Sequence, residues 1–379
     1  MPRLECDDHP DYDLILDALH LGAHSAECSY LNIRIPKFSG DTARMPDDDP
    51  IITTRDGRVG RILLNRPRVL NTLTLDMVRV FTGALRDFAE EPHIHAVVVE
   101  GAGDRAFCAG GDIRALRDGQ LSGDRSNVEA FFREEYALNL MISSYPKPYV
   151  ALIDGICMGG GIGVSVHGPY RVATEHAMFA MPETAIGFFP DIGGTFFLPR
   201  LPGQLGVYLG LTGLRTTGAD AVHAGFATHF VSRAQLPALS AALAENGASA
   251  LARFAEPLPP CTIAAHRAAI DRCFAADTIG EIAARLAAKP GDWATAALKA
   301  LRTVSPTALG FTLEAFRRGA NMTLKQTLDA EFLLTRTTMA WPDFAEGVRA
   351  MVVDKDRQPK WQPARIEDID QAVVDGMFR

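Results

Sequence analysis

Two carboxylates lie eight positions apart in an apolar segment, FAMPETAIGFFPDIGG (residues 179–194), as Glu183 and Asp191. An acid buried among apolar groups is costly unless it is paired, hydrogen-bonded or neutralised. Two nearby acids are also a common way for an enzyme to divide acid and base work. The structural alternative is that Glu183 opens a helix at its positive end and Asp191 shapes a Pro-Asp turn. From this segment alone, the structural alternative is favoured.

Two glycine clusters, CAGGD (108–112) and MGGGIG (158–163), each follow a strand-like run. Glycine lets the backbone approach a ligand closely and leaves its N–H groups unobstructed. Two N–H groups aimed at one point would form an oxyanion hole, which binds the negative oxygen of a thioester or ester under attack. Tight packing of strand against helix would use the same residues without any ligand.

Other candidates for chemistry are weaker. In FFREEY (131–136), Glu134 and Glu135 lie on a predicted helix, where at least one of them should face solvent. His20 and His24 have the spacing of a helical metal pair, but no further ligand is nearby, so two surface histidines are favoured. Cys108 is more typical of a small buried side chain than of a nucleophile. We therefore expect no metal site.

Several catalytic templates do not match the chain. It contains no G-x-S-x-G nucleophile elbow, no phosphate loop and no H-E-x-x-H zinc motif. The run GGGIG also lacks the spacing of a dinucleotide-binding loop. Ser165 and His167 would face different directions on a helix, so we interpret both as packing residues.

The bulk properties narrow the class of protein. The chain has 379 residues, of which 47% are hydrophobic and 22% charged, with a net charge of -8. This composition predicts a globular protein, and its acidity argues against a nucleic-acid partner. Six cysteines without a C-x-x-C pair suggest free thiols in a reducing compartment. No apolar run is long enough for a membrane span, and no secretory or mitochondrial targeting pattern is evident, so we expect no membrane association and a cytoplasmic location.

The order of elements predicts an α/β fold in three parts. Residues 1–50 form an acidic, proline-punctuated leader or linker that we expect to be flexible. Residues 51–260 alternate strand-like and helix-like segments, which predicts a largely parallel sheet. Residues 261–379 follow PLPP and form a region rich in Ala, Leu and Arg at helical spacing, interpreted as helical.

Four segments together resemble the enoyl-CoA hydratase/isomerase (crotonase) superfamily, and most closely its 3-hydroxyisobutyryl-CoA hydrolase branch. They are LNRPRVLNTL (64–73), AFCAGGDIR (106–114), KPYVALIDGICMGGGIG (147–163) and the acidic segment 179–194. The tail DFAEGVRAMVVDKDRQPKWQP (343–363) is similar to the C-terminal signature of that branch. The resemblance covers roughly residues 51 to 365. It implies a spiral of ββα units that carries a thioester pocket, followed by a helical C-terminal region.

The resemblance also implies roles for individual residues. Gly111 and Gly160 would supply the oxyanion hole, and Glu135 would hydrogen-bond the hydroxyl of the acyl group. Glu183 and Asp191 would carry the acid–base or nucleophilic chemistry. The remaining substrate-binding positions implied are Gly110 and Asp112 beside the thioester, and Arg68, Val69 and Leu70 along the nucleotide part of coenzyme A.

One departure from the hydratase pattern is informative. Enoyl-CoA hydratases carry a glutamate three residues after the middle glycine of the GGG turn, where this chain has Gly163, whereas hydratases commonly have glycine at the position of Asp191. The resemblance therefore favours hydrolysis of a short 3-hydroxyacyl-CoA thioester, most closely 3-hydroxyisobutyryl-CoA of valine catabolism. Hydration or isomerisation of an enoyl-CoA stays open, as does a non-catalytic coenzyme-A-binding protein. No cofactor is implied beyond the coenzyme A of the substrate, and family members often form homo-oligomers.

Overall fold

The computed structural model describes residues 49–123 and 125–379. The predicted leader, apart from its last two residues, and the His20/His24 pair lie outside the described residues. The first described contacts tie Asp49 and Pro50 to the chain that follows. Their carbonyl groups accept hydrogen bonds from the side chain and the backbone N–H of Asn65, at 3.0 and 2.8 Å.

In the described residues, ten strands form two sheets. The strands are β1 (Ile51–Asp56), β2 (Val59–Leu64), β3 (Ala96–Gly101), β4 (Ala106–Cys108), β5 (Tyr149–Ile153), β6 (Ile156–Met158), β7 (Tyr170–Ala173), β8 (Met178–Ala180), β9 (Thr216–Thr217) and β10 (His229–Phe230). The larger sheet has the order β1-β2-β3-β5-β7-β10, and the smaller has the order β4-β6-β8-β9. Among these described strands, only β1 and β9 run antiparallel to the strand beside them. The prediction of a largely parallel sheet is therefore confirmed.

Successive strands alternate between the two sheets, which makes the chain a spiral. The pairs β3/β4, β5/β6 and β7/β8 each place one strand in the larger sheet and the next in the smaller one. Strands β3 and β5 read as continuous apolar runs because they are buried on both faces. In the smaller sheet, the loops that follow β4, β6 and β8 converge on one place.

Over residues 49–123 and 125–379, fifteen α-helices cover the sheets and form the C-terminal region. They are α1 (Leu75–Glu90), α2 (Ile113–Ser122), α3 (Arg125–Ser143), α4 (Gly160–Val166), α5 (Gly194–Phe197), α6 (Leu205–Thr212), α7 (Gly218–Ala224), α8 (Leu236–Asn246), α9 (Thr262–Phe274), α10 (Ile279–Ala287), α11 (Asp292–Thr303), α12 (Pro306–Gly319), α13 (Leu324–Ala340), α14 (Pro342–Val348) and α15 (Gln371–Gly376). None of the helices in the described part of the chain is long and apolar enough to cross a membrane.

The helix ends follow local sequence signals. Thr74 caps α1 by accepting a hydrogen bond from Met77 N, as its position before an amphipathic run predicts. Thr323 and Gln326 form a complete capping box at the start of α13. These caps satisfy N–H groups that a helix leaves unpaired at its first turn.

The alternation predicted for residues 51–260 includes the range 194–246, but no individual element was predicted there. Helices α5 to α8 begin well before the predicted helical region, and β9 and β10 separate them as strands of only two residues each. Such short strands cannot show an alternating pattern. In α6, seven of eight residues are buried, so this helix lacks the polar face that periodicity analysis relies on.

Candidate active site

A cavity of about 130 Å³ lies between the glycine loops, α3 and the acidic segment. Its wall includes six of the predicted site residues, Gly110, Gly111, Glu135, Gly160, Glu183 and Asp191. The C-terminal region closes one side through Met351 and Val352, which belong to the tail that resembles the family's C-terminal signature. Residues as distant in the sequence as Gly110 and Val352 thus line the same cavity.

The two glycine loops are neighbours because β4 and β6 pair in parallel, with Cys108 opposite Cys157. Each loop turns sharply just after its strand, and Gly110 (φ 110°) and Gly159 (φ 46°) have positive φ angles there. A Cβ atom built on Gly160 would lie 3.4 Å from the backbone nitrogen of Gly111. The close approach of the two loops therefore depends on glycine.

The N–H groups of Gly111 and Gly160 are available to a ligand. Gly160 is the first residue of α4, and the first N–H groups of a helix have no acceptor within it. Around Gly111 the backbone bonds run from Leu73 N to Gly110 O and from Asp112 N to Leu73 O. Within the described residues, neither glycine N–H donates to a protein acceptor.

Glu183 is the first residue of a short 3-10 helix (Glu183–Ile186), as the structural alternative predicted. Its side chain is nevertheless buried, and Oε2 has no hydrogen-bond partner among the described residues. Burial, together with the negative charge of Asp191, raises the pKa of Glu183 well above its usual range. The helix-start role and a chemical role are therefore compatible in this residue.

Asp191 lies in a turn, where its carbonyl oxygen accepts a hydrogen bond from Gly194 N at 2.6 Å. Its carboxylate accepts a second bond, 2.7 Å long, from the hydroxyl of Tyr136. Burial raises the pKa of Asp191 to about 7, against the hydrogen bond from Tyr136, which lowers it. The next residue, Ile192, has a φ of 55°, which is unfavourable for a β-branched side chain. The backbone is thus held in a costly conformation directly beside the carboxylate.

The two glutamates of FFREEY lie in different surroundings, and one of them faces solvent, as the predicted helix requires. Glu134 faces solvent and makes a bidentate ion pair with Arg79, at 2.8 Å for both bonds. Glu135 is buried, and its Oε1 has no partner among the described residues. Burial and the charge of Asp191 raise the pKa of Glu135 well above its usual range. Three buried carboxyl groups therefore share the cavity.

Two further residues on α3 were missed by the sequence analysis. Tyr136 links Asp191 to Thr335 on α13, with 3.0 Å between the two hydroxyl oxygens. Asn139 is fully buried one helical turn after Glu135, and both of its amide atoms lack partners among the described residues. The i, i+4 spacing of Glu135 and Asn139 in the sequence was the available signal.

Glu331 on α13 was also missed. This buried carboxylate accepts hydrogen bonds from the backbone of Gly193 at 2.7 Å and from the backbone and hydroxyl of Thr195 at 2.9 and 2.6 Å. Burial raises the pKa of Glu331 to about 8. Its bonds hold the chain that follows Asp191, so the C-terminal region helps to position the acidic segment.

Four predicted substrate-binding residues do not line the cavity. Arg68 is exposed and Val69 is half-buried at the end of a 3-10 turn (Pro67–Val69). The buried Leu70 accepts a hydrogen bond from Ala109 N, so this turn lies beside the first glycine loop. Asp112 caps α2 through Ala115 N and lies 3.6 Å from Arg66. These positions flank the cavity without reaching into it.

The packing interpretations of the remaining candidates agree with the structure. Burial raises the pKa of Cys108 to about 12, which disfavours a thiolate. Ser165 donates to carbonyl groups of its own helix, and His167 Nε2 donates to Ile192 O at 2.7 Å. Within residues 49–123 and 125–379, no three His, Cys, Asp or Glu side chains are grouped as metal ligands. The cysteines described there are all free thiols.

Comparison with known proteins agrees with this geometry. The family model for enoyl-CoA hydratase/isomerase matches residues 59–378. The 3-hydroxyisobutyryl-CoA hydrolase of Xenopus tropicalis is 45% identical over 343 residues, covering 87% of this chain and 89% of the relative. The human protein of the same name is 42% identical over 343 residues, with the same coverage. Both names include the word mitochondrial, so they do not support the expected cytoplasmic location.

Solved structures show the same fold under other names. A carnitinyl-CoA dehydratase from Mycobacterium thermoresistibile has a TM-score of 0.84 and 39% identity, covering 88% of this chain and 97% of its own. An enoyl-CoA hydratase from Rhodobacter sphaeroides has a TM-score of 0.82 and 42% identity, covering 87% and 97%. The crotonase-like spiral is thereby confirmed. The chain belongs to the enoyl-CoA hydratase/isomerase family.

Proposed function

We propose that this protein is an acyl-CoA thioester hydrolase that cleaves a short 3-hydroxyacyl-CoA, with 3-hydroxyisobutyryl-CoA as the first candidate. The observation that carries the proposal is the placement of Glu135, Glu183 and Asp191 around one small cavity, beside two free backbone N–H groups. The names of the 40–45% identical relatives support the same substrate. Valine breakdown would then be the route that supplies it.

The proposed oxyanion hole consists of the N–H groups of Gly111 and Gly160. The thioester oxygen becomes negative when its carbonyl carbon is attacked, and donors aimed at that oxygen stabilise the transition state more than the ground state. The cavity is lined largely by apolar side chains, and hydrogen bonds are stronger in surroundings of low dielectric constant.

Glu183 is the proposed nucleophile or general base. Its unpartnered Oε2 is free to meet a carbonyl carbon or a water molecule. Two routes fit this position: a covalent anhydride formed by Glu183, or direct attack by water that Glu183 deprotonates. The raised pKa of Glu183 suits proton transfer near neutral pH.

Asp191 and Glu135 complete the proposed site. Asp191, with a pKa of about 7, can exchange a proton near neutral pH. We assign to Glu135 a hydrogen bond to the substrate hydroxyl, and its unpartnered Oε1 supports this role. Gly110 and Asp112 would flank the thioester. Arg68, exposed beside Val69 and Leu70, is the candidate for a phosphate of coenzyme A.

Hydration of an enoyl-CoA is the second candidate, favoured by the titles of the two similar solved structures. Against it stands Gly163, which offers no second carboxylate on α4 and faces Asn139 instead. A non-catalytic coenzyme-A-binding protein would not need three buried acids with raised pKa values.

One experiment separates these functions. The purified protein is incubated with 3-hydroxyisobutyryl-CoA while free thiol is followed, and separately with crotonyl-CoA while loss of the enoyl chromophore is followed. We expect thiol release from the first substrate and negligible change in the second. Loss of the enoyl chromophore without thiol release would identify a hydratase, and neither signal would favour the non-catalytic binder.

A further inference from the structure

Thioester hydrolysis leaves one proton to be removed from the site. The C–S bond breaks, a C–O bond forms from water, and the departing thiolate takes one of the two protons of that water. The other proton must leave because the product carboxylic acid is ionised at neutral pH. The opening of the cavity is the entrance for the coenzyme A thioester, so a bound substrate obstructs this route to solvent. This inference rests on the proposed hydrolysis.

A chain of hydrogen bonds leads away from the cavity. Asp191 Oδ2 lies 2.7 Å from the hydroxyl of Tyr136, which lies 3.0 Å from Thr335 Oγ1. All three side chains are buried, with 6%, 4% and 2% of their surfaces exposed. Either hydroxyl can be the donor in the bond between Tyr136 and Thr335. The hydroxyl protons can therefore point along the hydrogen-bond chain towards Asp191 or away from it.

This chain of hydrogen bonds ends at a second cavity. Thr335 lines a space of about 490 Å³ between α3, α12, α13 and the C-terminal residues, large enough for many water molecules. Glu129, Glu331 and Arg336 also line this space. Phe132 lines both this space and the smaller cavity. The two cavities are thus neighbours, separated by side chains and connected by the hydroxyl groups.

We propose that Tyr136 and Thr335 form a relay that carries the released proton from Asp191 to the larger cavity. Protonated Asp191 gives its proton to the oxygen of Tyr136, while the Tyr136 hydroxyl proton moves to Thr335 Oγ1 and the Thr335 proton moves to water. Rotation of both hydroxyl groups then restores the orientation towards an ionised Asp191. Tyr136 is never a phenolate, and its own pKa is raised well above the usual range by burial.

The groups that face Asp191 are consistent with this task. Glu183 lies on the same segment as Asp191. Glu135 and Tyr136 face Asp191 from α3, and Glu331 faces it from α13. At the end of α4, His167 contacts Ile192, the residue after Asp191. Burial raises the pKa of Asp191, and the hydrogen bond from Tyr136 opposes this effect. The net result is a pKa raised to about 7. A carboxyl group with this pKa accepts and releases a proton with similar ease at neutral pH.

The test uses single turnovers of the full-length protein with excess enzyme over 3-hydroxyisobutyryl-CoA. Thiol release is followed with a thiol reagent, and proton release is followed in separate runs with a pH indicator in weak buffer. The variants are Tyr136→Phe and Thr335→Val, with Thr335→Ser as the variant that keeps the hydroxyl. The matched controls are Tyr149→Phe and Thr338→Val, which lose buried hydroxyl groups bonded only to backbone carbonyls.

In the unsubstituted protein and both controls, proton release should keep pace with thiol release. In Tyr136→Phe and Thr335→Val, proton release should lag behind thiol release by about tenfold or more, as a broken relay imposes a barrier of at least about 1.4 kcal/mol. In Thr335→Ser, proton release should again be as fast as thiol release. Tyr136→Phe should also shift the acid limb of the pH profile of kcat to higher pH, because loss of the hydrogen bond raises the pKa of Asp191.

Proton and thiol release that stay coupled in both folded variants would overturn the relay. A rate loss in Tyr136→Phe alone, with Thr335→Val unchanged, would also overturn it and leave Tyr136 as a positioning residue for Asp191. Thermal unfolding checks that each variant folds, and Thr335→Ala replaces Thr335→Val if the valine variant does not. Failure of the proposed hydrolysis is distinct, because the unsubstituted protein would then release no thiol.

Discussion

Gly163 and Asn139 face each other across the contact between α4 and α3. A Cβ atom built on Gly163 would lie 3.0 Å from Asn139 Nδ2 and 3.0 Å from Ile192 Cβ. The position at which hydratases carry a glutamate is therefore tightly packed here, and a side chain at this position would require Asn139 or Ile192 to shift. Ile192 follows Asp191 directly, so any group inserted here would push on the acidic segment.

Replacing Gly163 with Glu should destabilise the protein without creating a hydratase. Overpacking of this kind typically costs about 1–3 kcal/mol, which in a protein of this size corresponds to a Tm lower by roughly 1–4 °C. Gly83→Glu is the matched control, because Gly83 lies on α1 with no heavy atom within 4 Å of an added Cβ. Thermal unfolding and crotonyl-CoA hydration are measured for both variants. Efficient hydration by Gly163→Glu would show that the site is closer to a hydratase than proposed.

Replacing Gly160 with Ala should abolish most of the activity. The added Cβ would lie 2.5 Å from Glu135 Oε1 and 3.4 Å from Gly111 N, in the space that the thioester oxygen is expected to occupy. The backbone N–H of residue 160 is kept, but the Cβ would block the approach of the oxygen to it. Loss of one oxyanion-hole interaction costs roughly a hundred- to a thousandfold in kcat, and we expect a loss in that range. Gly83→Ala should leave kcat unchanged. An active Gly160→Ala protein would place the oxyanion elsewhere.

Replacing Glu183 with Gln should lower turnover by orders of magnitude while the substrate still binds. The amide keeps the shape of the carboxylate and removes its acid–base and nucleophilic capacity. The control is Glu134→Gln, which changes a half-buried glutamate that is paired with Arg79 outside the cavity. Steady-state kinetics and equilibrium binding of the substrate separate the two effects. A Glu183→Gln rate within about tenfold of the parent would remove Glu183 from the chemistry.

The buried acids predict how stability depends on pH. The folded-state pKa is about 7 for Asp191 and about 8 for Glu331, both above the ordinary values of 3.8 and 4.5. Between pH 5 and 8 the native state therefore binds more protons than the unfolded state, so the free energy of unfolding should fall as pH rises through this range. Chemical unfolding at pH 5.5 and 8 measures the fall. It should be smaller in Glu331→Gln, and an increase with pH would contradict the burial of these acids.

The sequence was sufficient for those parts of the site that local motifs define. The glycine loops follow β4 and β6, and the helix-start signal at Glu183 and the turn signal at Asp191 are both confirmed. A local signal and a functional one coincide at Glu183 because the start of a helical turn is also where a carboxylate can be presented to a cavity.

Contacts over long distances in the chain could not be predicted. Glu331 bonds to residues 138 and 136 positions away, and Thr335 reaches Tyr136 across 199 positions. On α13 these two residues look like the polar positions of an ordinary amphipathic helix. Their partners are decided by how the C-terminal helices pack on the spiral, for which no local pattern exists.

The most direct test of the proposed function is kcat/KM for thiol release from 3-hydroxyisobutyryl-CoA, measured beside kcat/KM for hydration of crotonyl-CoA by the same protein. We expect the hydrolysis value to exceed about 10⁴ M⁻¹s⁻¹, the lower end of the usual range for enzymes, and the hydration value to lie at least about a hundredfold below it. Hydration faster than hydrolysis, with little thiol released above background, would contradict the account.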